Sequence, residues 1–171
     1  MAQHLNNTPA WIKRHQDQKA AEKKQAQDEH QRQAEASTLI HDKGLEFWQE
    51  LVDQIAVNVS ALKELEGEEL VGTVSQSDHG LERNCYFQIN RQSVRFGPEL
   101  SRMSFWYLPG GGRIRRWYQN QNAGDIELVA YRDEVRALVN NRPVTARELA
   151  DLIVQWMAEK VKVRRVSYSY V

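Results

Sequence analysis

From Lys13 to Thr38 the chain holds no apolar side chain larger than alanine, and neither glycine nor proline interrupts it. Gln, Ala, Glu and Lys favour helix, but a helix without an apolar stripe has nothing to bury. Residues 1–36 therefore read as a polar arm, a solvated helix or a disordered segment, that takes no part in a core. Thr8 suits a helix N-cap and Pro9 the first helical position. Trp11 and Ile12 stand isolated near the tip of the arm, as if to dock on something outside the chain.

After Ser37-Thr38 the pattern changes. Trp48, Leu51, Val52, Ile55, Val59 and Leu62 recur every three or four residues with charged residues between them, which predicts an amphipathic helix over 39–66, closed by Gly67. Trp48, Leu51, Ile55, Asn58, Leu62 and Leu65 also have the spacing of a coiled-coil seam. It runs for under three heptads, and a helix packed on its own sheet is the simpler expectation.

Residues 68–139 switch to period two. Leu70–Ser75, Asn84–Asn90, Ser93–Gly97, Arg102–Leu108, Arg113–Gln119, Ile126–Arg132 and Val135–Val139 read as strands. Ser77–Gly80, Gly97-Pro98, Pro109–Gly112 and Asn120–Asp125 punctuate them. Links this short favour an antiparallel meander, because parallel crossovers need a dozen or more residues. Asn140–Pro143 turns the chain into a capping box, Thr145 with Glu148, ahead of Leu149, Leu152, Ile153, Trp156 and Met157. That helix is expected to end near Lys160, and the alternating Val161–Val171 suits a final edge strand.

The fold class is thus α+β: a long N-terminal helix, an antiparallel meander of six or seven strands, and a C-terminal amphipathic helix, with residues 37–171 as a single domain. This element order resembles that of pleckstrin-homology-like barrels, down to a Trp on the closing helix. The resemblance lies in element order and in no sequence motif. The expected core joins Trp48, Leu51, Ile55 and Leu62 to Leu149, Leu152, Ile153 and Trp156, against Phe87, Phe96 and Phe105.

Charge narrows the functional classes. Lys and Arg number 23, as do Asp and Glu, so the formal net charge is zero. A nucleic-acid wrapper or polybasic membrane protein needs excess positive charge. A single cysteine, Cys85, points to a reducing compartment, and no apolar leader or span is visible, so the expected location is the cytoplasm and no membrane partner is expected. From Glu64 through Glu159 every basic residue is Arg, which suits carboxylate and phosphate recognition and equally follows from codon usage.

The stretch Arg102–Gln119 carries the most chemistry. If Leu108 faces Arg113 across the glycine-rich turn, one face holds Met103, Phe105, Tyr107, Ile114 and Tyr118, with Arg116 awkwardly among them. The other holds Arg102, Trp106, Arg113, Arg115 and Trp117. Such an aromatic-basic surface serves protein interfaces, where Trp, Tyr and Arg dominate, and also single-stranded nucleic acid, where aromatics stack on bases. Alternatively the first helix or the C-terminal segment covers it.

Other groupings offer less. Asp78, His79, Glu82 and Cys85 lie close in sequence, but no second pair supports a metal site, and Cys85 alternates with Phe87 and Ile89 as a buried, inert thiol would. Gly110-Gly111-Gly112-Arg113 lacks the Lys-Ser/Thr of a phosphate loop. No catalytic residue, metal ligand or cofactor is assigned. The expectation is a non-enzymatic interaction or regulatory protein that binds a protein partner, or itself, through the hairpin face and the arm. Single-stranded nucleic-acid binding is the alternative, and a small enzyme or ligand-binding domain a third.

Overall fold

The computed structural model of the chain describes residues 9–66, 70–79, 82–93, 97–108 and 112–166. Helix α1 runs unbroken from Ala10 to Glu66. The chain divides into two compact units, Met1–Thr38 and Leu39–Val171.

In the first unit the helical alternative for the arm holds. Its amides are satisfied within the helix, and exposed glutamine–glutamate pairs one turn apart, Gln18–Glu22 and Gln31–Glu35, support it from outside. Pro9 precedes the helix rather than opening it: its carbonyl accepts from the N–H groups of Ile12 and Lys13. Thr8 lies outside the described residues. Trp11 is 67% exposed and Ile12 half-buried.

In the second unit seven antiparallel strands form a meander in sequence order: β1 Leu70–His79, β2 Glu82–Ser93, β3 Gly97–Leu108, β4 Arg113–Tyr118, β5 Gln121–Tyr131, β6 Glu134–Val139 and β7 Arg142–Val144. Among the described residues β1 and β7 are not paired with each other, so the sheet they form is open. Helix α2 follows over Ala146–Val166.

Several boundaries differ from the periodicity reading. β2 ends at Ser93 and β3 begins at Gly97, and residues 94–96 of the expected strand Ser93–Gly97 lie outside the described residues. Asn120–Asp125 is not a loop. Gln119 and Asn120 both adopt positive φ, 50° and 64°, and close a two-residue hairpin turn, so β5 starts at once. Asn140 and Asn141 do the same, at 50° and 62°, which frees Arg142–Val144 to pair as β7. Val161–Val166 is not an edge strand but the last part of α2. Lengthening an existing helix avoids the nucleation cost, and a valine there costs only a fraction of a kcal/mol.

The core lies between one face of the sheet and the two helices. Phe47, Trp48, Leu51, Val52, Ile55 and Val59 of α1 pack with Cys85, Phe87, Ile89, Met103, Phe105, Tyr107, Ile114, Ile126 and Leu128 from the strands. The Trp48 and Tyr107 rings stack at 5.8 Å, and those of Phe87 and Phe105 at 6.0 Å. Gly44 admits the Tyr107 hydroxyl and Gly72 the Val59 side chain so closely that a Cβ at either would collide. The apparent seam on α1 is thus spent inside the domain: Leu62 is partly buried against the core, while Leu65 is 83% exposed.

The expected core needs correction on α2. Leu152 and Trp156 are 46% and 38% exposed. The buried stripe runs instead through Ala146, Leu149, Ala150, Ile153, Val154 and Met157, and Trp156 meets only the margin, edge-on to Tyr118 at 4.9 Å. Phe96 lies outside the described residues. Asn58 explains its polar place: it accepts from Gln54 and donates to Asp151 of α2, at 2.8 and 2.7 Å. The capping box is formed as expected, with the Thr145 N–H donating to the Glu148 carboxylate at 2.8 Å and the Glu148 N–H to the Thr145 hydroxyl at 3.2 Å.

Candidate interaction face

A strand alternates its side chains, so the buried set on β2–β5 dictates the opposite set. Leu108 pairs with Arg113, Trp106 with Arg115 and Ser104 with Trp117. Met103, Phe105, Tyr107 and Ile114 are buried. Arg102, Trp106, Arg113, Arg115 and Trp117 therefore share the face turned away from the core. Trp106, Trp117 and Arg102 are half-buried there, and Arg113 and Arg115 exposed. The core residues of both helices pack on the opposite side of the sheet. The C-terminal segment beyond Val166 lies outside the described residues.

The neighbouring strands complete the surface. Asn84 stands opposite Trp106, Tyr86 opposite Ser104 and Gln88 opposite Arg102. Asp125 stands opposite Arg115, and Glu127 opposite Arg113. Ser104, Trp106, Leu108, Arg115, Trp117 and Asn120 line an open depression of about 440 Å3. Ser104 is its small member: beside two indoles a hydroxymethyl leaves a low floor.

The arginines are engaged locally. Arg115 Nε donates to the Asp125 carboxylate at 3.2 Å, and the Arg102 guanidinium lies 5.6 Å from the centre of the Tyr86 ring. Two polar atoms on this face, Asn84 Oδ1 and Arg102 Nε, are shielded from solvent without a hydrogen-bond partner. Each such atom has already lost its hydration, a cost of roughly 1–3 kcal/mol. Desolvation that a partner would otherwise impose has thus been met in part by the fold.

The chain matches no protein family, no curated protein and no solved structure. Its chemistry has to be read from its own geometry.

Arg116 has the inward parity the sequence implied. A bulge between Arg116 and Trp117 accommodates it, with Gly124 at φ 89° on the partner strand and Arg116 Nη2 donating to the Ala123 carbonyl at 3.0 Å. Burial lowers its pKa, and the Asp125 charge partly restores it. Cys85 is fully buried and its thiol is pushed up to about 12 by desolvation. That makes it a poor nucleophile. Asp78 pairs with Arg83, and His79 with Glu82, across the β1–β2 ladder. Among the described residues no three His, Cys, Asp or Glu side chains gather to hold a metal, and no helix is long and apolar enough to cross a membrane.

Trp11 and Ile12 belong to the other unit. Reasoning on the β3–β4 hairpin alone missed Tyr86, Asn84 and Asp125, because they come from strands on either side. Extending the register by one strand each way is the signal that finds them.

Proposed function

We propose that this protein is a non-enzymatic interaction module whose outer sheet face binds a protein partner. One observation carries the reading: Trp106 and Trp117 line an open depression on the sheet face opposite the buried core. Large aromatics left half-buried at a concave site beside an Arg are the usual anchors of protein interfaces. Trp11, exposed on the arm, supplies a second apolar anchor for docking or self-association.

Local charge favours protein over nucleic acid. Arg115 is bonded to Asp125, and Arg113 stands across from Glu127. Phosphates gain most from unpaired positive charge, through release of counterions, and here the Asp125 carboxylate already meets the Arg115 charge. The test is selection of random-sequence peptides on the full chain, with the selected peptides retested on the Trp106→Ala/Trp117→Ala double variant. Binding is expected to disappear with the two indoles. Peptides that bind the double variant as well as the parent would refute the proposal.

A further inference from the structure

We infer that the segment this face takes is an uncharged, proline-bearing stretch of partner polypeptide in the polyproline II conformation, laid across β2, β3 and β4 with Ser104 beneath its middle. The inference rests on the reading of this face as a protein-binding surface and goes on to name the ligand.

Spacing is the first argument. Trp117, Ser104 and Tyr86 are consecutive cross-strand partners on one face. Neighbouring strands lie about 4.8 Å apart, so the two aromatic positions are separated by about 9.6 Å with a small hydroxyl residue between them. A polyproline II segment has three residues per turn and rises about 3.1 Å per residue, which repeats its side chains every ~9.3 Å. Two prolines three residues apart therefore reach Trp117 and Tyr86 together. Trp106, two residues beyond Ser104 on β3, walls the saddle on one side.

Polarity is the second. The charged residue that lines the depression, Arg115, is already paired with Asp125, so a charged side chain gains little from it. Apolar rings fit the aromatic walls. A polyproline II backbone makes no internal hydrogen bonds, so its carbonyls accept from groups such as the Ser104 hydroxyl and the Trp117 indole N–H. The third argument is entropy. A shallow depression buries limited area, and a ligand already held extended by its prolines loses little freedom on binding.

The experiment is a titration of the full chain, followed by tryptophan fluorescence, with a synthetic uncharged peptide carrying prolines at every third position. A matched peptide with alanine for each proline and an oligothymidylate serve as comparisons. The proline peptide should bind, and the alanine peptide about tenfold or more weakly. Trp117→Ala and Tyr86→Ala should each weaken binding about tenfold or more, as loss of an aromatic anchor does. Ser104→Leu, which fills the saddle, should abolish it with circular dichroism unchanged. Equal binding of the alanine peptide, lost in Trp106→Ala/Trp117→Ala, overturns the polyproline inference and leaves the protein-binding reading standing. No binding by either peptide, or salt-sensitive binding of the oligothymidylate alone, overturns both.

Discussion

Two faces of the same strands are built from similar residues and do different things. Toward the helices, Phe87, Met103, Phe105, Tyr107 and Ile114 are sealed from water. Away from them, Tyr86, Trp106 and Trp117 are only half-buried, although they are as large and as aromatic. The difference is cover. Two amphipathic helices are enough for one side of a seven-stranded open sheet, and the other side keeps its aromatics without them. Packing against the helices accounts for the first set, and for the second we propose a protein partner.

The largest contrast should be chemical. Cys85 and Ser104 lie on adjacent strands with opposite parity. Raising the Cys85 thiol from an ordinary 9.0 to about 12 leaves about a thousandfold less thiolate at a given pH. Native protein should resist a thiol reagent at mild alkaline pH and react on unfolding. Ser104→Cys in a Cys85→Ala background should react without unfolding. Equal rates for the two would erase the distinction between the faces.

Energetics come next. Trp48→Ala, which removes a ring stacked inside the core, should cost about 3–5 kcal/mol in urea unfolding. Trp156→Ala removes a ring that is 38% exposed and meets Tyr118 edge-on, and should cost about 1–2 kcal/mol. Matching losses would mean that α2 seats Trp156 in the core after all.

Smaller still is the hold on α2, the helix that completes the cover. Thr145→Ala should cost about 1 kcal/mol. The hydrogen bond from the Thr145 N–H, followed by the hydroxyl contact, keeps the Glu148 carboxyl below its ordinary pKa. A depressed carboxyl stabilises the fold above its ordinary pKa, and that contribution disappears as pH falls through the depressed value. Stability measured against pH should therefore drop in that acidic window, and drop less in Glu148→Gln, which has no carboxyl to titrate. A parent and variant with parallel profiles would remove the box from the account.

Much of this was legible in the chain. The alternation of Met103, Phe105 and Tyr107 against Ser104 and Trp106, with Leu108 set opposite Arg113, gave the hairpin register and hence both faces. Thr145 and Glu148 announced the start of α2. The failures have physical causes. Asn120–Asp125 looked like a loop because turn residues cluster there, yet Gln119 and Asn120 made the turn and Gly124 served a bulge. Leu152 and Trp156 follow helical spacing but sit at the rim of a stripe whose centre holds Ala150, Val154 and Met157. Periodicity identifies a face and is weak on where its edge falls. The alternation in Val161–Val171 suggested a strand, but through Val166 the chain continues an established helix, and residues 167–171 lie outside the described residues. The surroundings of the depression include Tyr86 and Asp125, register partners of Ser104 and Arg115 on the neighbouring strands, which no single hairpin contains.

Urea unfolding of the Trp106→Ala/Trp117→Ala double variant tests the division of labour most directly. If the outer aromatics serve a partner and not the fold, the double variant should lose no more than about 1 kcal/mol per site, the small effect of substitutions away from a core. A loss of about 6 kcal/mol or more, the sum expected for two core tryptophans, would show that these indoles hold the domain together and are not kept for binding.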